Sequence, residues 1–388
     1  MLARLAVAIL TAVIAVLYPP WYAQGQSPRP RARDLGIAPG DLTPGPLNAI
    51  TDVAGVAVGH ATLIDGNRVF TGATAIVPHP GNIFQEKVPA AIVVGNGFGK
   101  LVGSTQVEEL GELETPILLT NTLNVWEAAA TLVDVTLTAP GNEAVRSVNP
   151  VVGETNDGWL NDIRQRPLRA AHFREALRSA ASGPVAEGCV GAGVGTMNFG
   201  FKGGIGTSSR KVTDTDSIFI VGVLVQTNFD GRLAIDGVPV WREFTAASNV
   251  GDNSQARHGS CMIVVATDAP LDARQLKRLA RRALVGMART GANFSNGSGD
   301  YVVAFSTAKS ARIPYDLRSK TRETVVLNDA AITPLFEAAA GSTEEAIFNA
   351  LVRATTTRGR DGHVAEAISI NKLKQALAKY GRGKVDGK

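Results

Sequence analysis

Gly259-Ser260-Cys261-Met262-Ile263-Val264-Val265-Ala266 follows the polar, turn-like run Gly251-Asp252-Asn253-Ser254. Met262 to Ala266 is strongly apolar and rich in β-branched residues, which reads as a buried strand. Ser260 therefore enters a buried strand directly after a glycine. Its hydroxyl can attack the carbonyl that precedes it, and a cut there would leave Ser260 with a free α-amine as its own base, an N-terminal nucleophile. Taken alone, the same residues also fit a strand-edge serine whose hydroxyl is satisfied by backbone.

Outward from this run, short segments rich in valine and isoleucine and bounded by Gly, Pro or Asn read as strands: Ala54 to Gly59, Ala73 to Val77, Ala90 to Val94, Ile117 to Thr120 and Ile218 to Gln226. Helical spacing runs through Gly103 to Leu113, Val125 to Val133, His172 to Ala181 and Asp272 to Met287. Ser342 to Arg353 reads as a further helix, with Ser-Thr-Glu-Glu as its capping signal. Strands and helices are mixed throughout, which argues for layered sheets covered by helices in one domain. The glycine-dense segment Gly188 to Gly206 is the one candidate boundary, and it reads equally as tight turns and close backbone approach.

With 388 residues, 45% of them hydrophobic and 19% charged, the chain can bury a large core. A formal charge of +4 with scattered arginines leaves no basic stripe for nucleic acid. Arg4 precedes an apolar stretch from Leu5 to Leu17, then Pro19-Pro20 and the small residues Ala23 and Gly25. This run is shorter than the roughly 20 apolar residues of a membrane span, so residues 1–25 read as an export signal, against an uncleaved anchor. The expected location is periplasmic or secreted, with no membrane attachment once the signal is removed. Two cysteines, Cys189 and Cys261, make no disulfide framework.

Several chemistries are set aside. Gly191-Ala192-Gly193-Val194-Gly195 lacks the spacing of a dinucleotide fingerprint, and Phe201 to Thr207 lacks a Walker A arrangement. The histidines, His60, His79, His172, His258 and His363, are far apart, with no His-Glu-x-x-His and no Cys-x-x-Cys, so no metal or cofactor is expected. No serine sits in a Gly-x-Ser-x-Gly elbow. His258 stands two residues before Ser260 as an alternative base, or as an ordinary loop residue.

A family resemblance is carried by blocks in order along the chain: Arg33-Asp34-Leu35-Gly36-Ile37, then Asn48-Ala49-Ile50-Thr51-Asp52-Val53 with Gly59-His60, Pro150 to Asp157, Gly183 to Gly188, Phe201 to Arg210, Val223 to Asn228, Ser260 to Leu271, and Ser298-Gly299-Asp300 followed by Ala304 to Thr307. The sequence resembles the DmpA-type L-aminopeptidase/D-esterases and β-peptidyl aminopeptidases, the S58 peptidases. The resemblance implies an α/β (α+β) fold, a four-layer αββα sandwich like N-terminal-nucleophile hydrolases but differently connected. It also implies self-cleavage at Gly259-Ser260 into fragments 26–259 and 260–388, commonly assembled as tetramers of cleaved pairs.

For the site, the resemblance makes Ser260 nucleophile and α-amine base, and Asn228 the side-chain donor to the oxyanion; without it, Asn228 would be a strand-end residue capping a turn. Ser298 and Asp300, one residue apart on a strand start, share a face. Ser298 would bond the nucleophile or its amine, and Asp300 would orient the network; their plainer reading is a Ser-Gly-Asp turn. Glu154 resembles the acidic residue that holds a substrate's free amine, against a salt-bridged surface glutamate, and Asn156 lies where relatives differ. The implied activity is removal of N-terminal L-, D- or β-amino acyl residues from short peptides, amides or esters through an acyl-enzyme. The alternatives are an amidase for non-peptide oligoamides and a non-catalytic scaffold.

Overall fold

An unbroken apolar run can be a strand only if both of its faces are buried, and Met262 to Ala266 meets that condition by lying between two layers. The computed structural model describes residues 29–213, 217–244, 259–315 and 320–383; the candidate export signal and His258 lie outside them. The principal strands are β1 (Ala57–Asp65), β2 (Val69–Val77), β3 (Glu86–Gly97), β4 (Ile117–Asn121), β5 (Val151–Thr155), β6 (Ile205–Thr213), β7 (Ile218–Asn228), β8 (Ser260–Thr267) and β9 (Gly299–Ser306). The principal helices are α1 (Ser104–Leu110), α2 (Val125–Leu137), α3 (Ala170–Arg178), α4 (Ala273–Arg289), α5 (Thr333–Arg353) and α6 (Ile370–Lys379).

One sheet has the order β1-β2-β4-β5, and the larger runs β3-β9-β8-β7-β6, extended beyond β3 by Ile313–Pro314. Side chains of β8 alternate between two cores. Met262, Val264 and Ala266 pack between the sheets with Ile76, Ile117, Leu119 and Val151. Cys261, Ile263 and Val265 face Leu276, Leu279 and Ala283 of α4 and Ile347 of α5. On the far side of the smaller sheet, Leu118 and Val152 meet Leu132 of α2 and Phe173 of α3. The result is the four-layer αββα sandwich that the resemblance implies. Strands on both sides of residue 259 share the larger sheet, with β8 and β9 parallel and β8 antiparallel to β7.

One expectation needs correction, and one strand has no signal in the sequence. Helix α5 begins at Thr333 with Pro334 in its first turn, so Ser342 to Glu345 lie in mid-helix and cap nothing. They are buried: the Thr343 hydroxyl donates to the Ala339 carbonyl at 2.8 Å, and Glu345 pairs with Arg210 at 2.7 Å and Arg33 at 3.0 Å. The run Ala338-Ala339-Ala340-Gly341 is buried with them, so no polar face marks the helix in sequence. Strand β6 also escapes sequence reading, because Thr207-Ser208-Ser209-Arg210 is polar yet fully internal. Glu345 and the Asn48 side-chain oxygen, which accepts from Ser208 Oγ and Ser209 N at 3.0 Å each, meet its hydrogen-bonding needs.

The glycine-dense segment is close approach rather than a boundary. A Cβ on Gly204 would lie 2.3 Å from the Gly188 carbonyl oxygen, and one on Gly206 would lie 1.9 Å from that of Ala346 in α5. Gly206→Ala is therefore expected to force α5 off the sheet and cost about 1–3 kcal/mol. Thermal unfolding checks this: an unchanged midpoint would show that the helix does not rest on β6.

Candidate active site

Ser260 is the first residue of β8, and three strand ends converge on it. The register pairs it with Asn228 of β7 and with Gly299 of β9. Its hydroxyl donates to the carbonyl oxygen of Gly259 at 2.7 Å. The Gly299 N–H points at both oxygens, 3.3 Å from Gly259 O and 3.3 Å from Ser260 Oγ. Gly259 is fixed by space: a Cβ there would lie 2.7 Å from Phe229 Cα and 2.9 Å from the Asn228 carbonyl oxygen. The close approach expected of this glycine is present.

Asn228 caps no turn. Its side-chain oxygen accepts the Met197 N–H at 2.9 Å, which fixes the amide's orientation because a backbone N–H can only donate. Nδ2 donates to the Asn156 carbonyl at 2.9 Å, across from the other sheet. One of its two hydrogens is left over, on the side of the sheet where Ser260 stands. Asn156 enters through this backbone carbonyl; its exposed side chain accepts from Gly158 N at 2.9 Å.

The Ser298 hydroxyl donates to Asp300 Oδ1 at 2.7 Å, so the pair shares one face as the spacing predicts. It bonds Asp300 and not the Ser260 hydroxyl. By strand alternation Asp300 lies on the helix side, against Cys261, whereas the Ser260 side chain faces the other sheet. Asp300 thus stands on the opposite face of the sheet from the Ser260 hydroxyl, beside Cys261. Asp300 Oδ2 is buried with no hydrogen-bond partner among the described residues, and desolvation raises this carboxyl to about 6, opposed by the Ser298 hydroxyl and the Cys261 N–H.

Glu154, on β5, is 2% exposed and makes no ion pair among the described residues, which excludes a surface salt bridge. One carboxylate oxygen accepts the Lys100 N–H at 2.9 Å and the other the Thr122 hydroxyl. Burial raises its pKa, with these hydrogen bonds opposing. Tyr301 connects the two halves of the site. A Cβ on Gly299 would lie 3.0 Å from Tyr301 Cε2; one on Gly99 would lie 3.0 Å from the same atom and 3.1 Å from both Tyr301 Oη and Glu154 Oε1. The phenol therefore spans from beside the serine to the carboxylate. Sequence reading passed over Tyr301, Thr122 and the Lys100 N–H. Tyr301 was within reach, because it follows Asp300 with opposite parity on the same strand.

A small hydroxyl on a carbonyl, a spare amide donor and two buried carboxylates with no ion pair among the described residues suit acyl transfer from a substrate bearing an amine. Residues 48–365 match the model of peptidase family S58. The chain belongs to that family. Beta-peptidyl aminopeptidase BapA of Sphingosinicella microcystinivorans is 42% identical over 376 residues, 91% of this chain and 93% of the relative. Its namesake from Sphingosinicella xenopeptidilytica is 41% identical, over 90% and 91% of the two chains.

Among solved structures, the L-aminopeptidase D-Ala-esterase/amidase from Ochrobactrum anthropi matches with a TM-score of 0.85 at 39% identity, covering 91% of this chain and 99% of that one. It is described as a prototype for the serine aminopeptidases and a new variant among the Ntn hydrolase fold. A Burkholderia sp. beta-aminopeptidase matches at 0.84 with 40% identity, over 90% and 99%. The chain is thus a hydrolase of the serine aminopeptidase group with an Ntn-type fold, and the scaffold reading falls.

The Asp300 shift gives a pH-dependent expectation for the continuous chain. A carboxyl raised in the folded state from 3.8 to about 6 favours folding below pH 4, and that contribution is lost as pH rises through 6. In a Ser260→Ala background, Asp300→Asn is expected to raise the unfolding midpoint at pH 7 and leave it little changed at pH 4. Equal shifts at both pH values would contradict an unpaired buried charge.

Proposed function

We propose that the chain cuts itself between Gly259 and Ser260 and that the freed Ser260 is the nucleophile of an aminopeptidase acting on N-terminal amino acyl peptides, amides and esters. The carrying observation is the position of the Ser260 hydroxyl on the carbonyl of Gly259, with the Gly299 N–H donating to both oxygens. Ser260 Oγ attacks the Gly259 carbonyl carbon, the negative charge that develops on its oxygen faces the Gly299 N–H, and the C–N bond breaks as an ester forms. Water then releases the Gly259 carboxylate and leaves Ser260 with its own α-amine.

That amine, with a reference pKa near 8, takes the hydroxyl proton when a substrate carbonyl is attacked. Asp300, which pairs with Cys261 on the neighbouring strand and whose Oδ2 has no hydrogen-bond partner among the described residues, would balance the ammonium that results. The remaining hydrogen on Asn228 Nδ2 serves the oxyanion, a donor of the kind worth about 3–4 kcal/mol in the transition state. Glu154 pairs with the substrate's free ammonium, which restricts cleavage to the first residue. The β-peptidyl aminopeptidase relatives support including β-amino acyl substrates. Export rests on Arg4 and the Leu5 to Leu17 stretch, and a tetramer of cleaved pairs rests on the family resemblance.

On a denaturing gel the purified protein is expected as two fragments, the smaller beginning Ser-Cys-Met-Ile. Ser260→Ala should give one uncut chain with activity lower by roughly 10³-fold or more; an active, uncut wild-type chain would refute the mechanism. Glu154→Gln is expected to lower kcat/KM for free-amine substrates about 10- to 100-fold, the scale of a hydrogen bond to a charged group. N-acetylated analogues should be unaffected by that change. Comparable cleavage of blocked and free substrates by the wild type would favour the oligoamide amidase instead.

A further inference from the structure

At the opposite ends of β8 and β9, about 20 Å or more from Ser260 by strand rise, lies a cavity of about 480 Å³ lined by Gly55, His79, Asp268, Thr307, Lys309 and Arg312. This is within the size range of small-molecule sites. Nothing in the catalytic reading uses it.

Its charges are opposed and incompletely matched. Arg312 holds Glu86 through Nη1 at 2.7 Å, but its Nε is buried with no hydrogen-bond partner among the described residues. Lys309 is exposed and makes no ion pair among the described residues. Asp268 accepts the Ile220 N–H at 2.8 Å through Oδ1 and has no cationic partner among the described residues; burial raises its pKa. His79 adds no charge, since Nδ1 accepts from the Gly81 N–H at 3.1 Å and Nε2 donates to the Glu86 carbonyl at 2.8 Å.

A simple anion would suit Lys309 and the Arg312 Nε but meet the unpaired carboxylate of Asp268. A simple cation would suit Asp268 but meet Lys309. A ligand carrying both charges satisfies every unpaired group at once. We propose that this cavity is a second binding site, for a small free amino acid, whose carboxylate is taken by Lys309 and Arg312 Nε and whose ammonium is taken by Asp268. The assignment is independent of the role given to Ser260.

Calorimetric titration of the full chain carrying Glu154→Gln, which removes the amine anchor of the catalytic site, tests it with L-alanine, β-alanine, propionate and propylamine. One amino acid per chain is expected, with propionate and propylamine at least tenfold weaker. Asp268→Asn keeps the acceptor for Ile220 and should weaken amino acid binding at least tenfold. Lys309→Ala, a surface change, should do the same. In the otherwise wild-type chain, Asp268→Asn should leave kcat/KM unchanged. Propionate binding as well as L-alanine, unaltered affinity in both variants, or no saturable binding at millimolar concentrations would each overturn the proposal.

Discussion

The ladder that seats Ser260 between Asn228 and Gly299 governs the rest of this site. A strand's side chains alternate, so a slip of one residue in either pairing would turn the serine from the inter-sheet space toward the helices. The apolar residues that follow prevent that slip, because Met262, Val264 and Ala266 fill one core while Cys261, Ile263 and Val265 fill the other. Core packing thereby fixes the geometry of a reactive group at the strand's end. The same crowding leaves room only for glycine at 259, with the Phe229 backbone 2.7 Å from where a Cβ would stand.

Charge is used differently in two parts of the molecule. Glu345 is fully buried but meets Arg210 and Arg33, and these pairs tie α5 and the N-terminal lead-in to β6. Glu154 and Asp300 are buried and form no ion pair among the described residues, and both have raised pKa values from desolvation. Asp157, two residues beyond Thr155, is pushed up to about 7 for the same reason. Unpaired carboxylates in low dielectric are costly in a structural role and informative at a functional one. In an aminopeptidase they are the natural complement of an incoming ammonium.

Much of this could be read without coordinates. The buried strand after Gly259, the amphipathic α4 and the shared face of Ser298 and Asp300 follow from local periodicity alone. Strand β6 and the first half of α5 did not, since each is buried by the other. The polar residues of β6 and the alanine-rich turns of α5 lose their usual surface meaning when Arg210 and Glu345 pair between them. Tyr301 was hidden for a related reason, because its proximity to Glu154 arises between two sheets.

The sequence by itself determined the family, the mixture of strands and helices, and the residue types at the site, because these depend on neighbours along the chain and on ordered blocks. Tertiary structure decided which face each group presents. Asp300 stands on the opposite sheet face from the Ser260 hydroxyl, Asn156 meets Asn228 through its backbone, and a phenol spans from serine to carboxylate. Those relations depend on the registers β7–β8–β9 and on the separation of the two sheets, and long-range packing sets both.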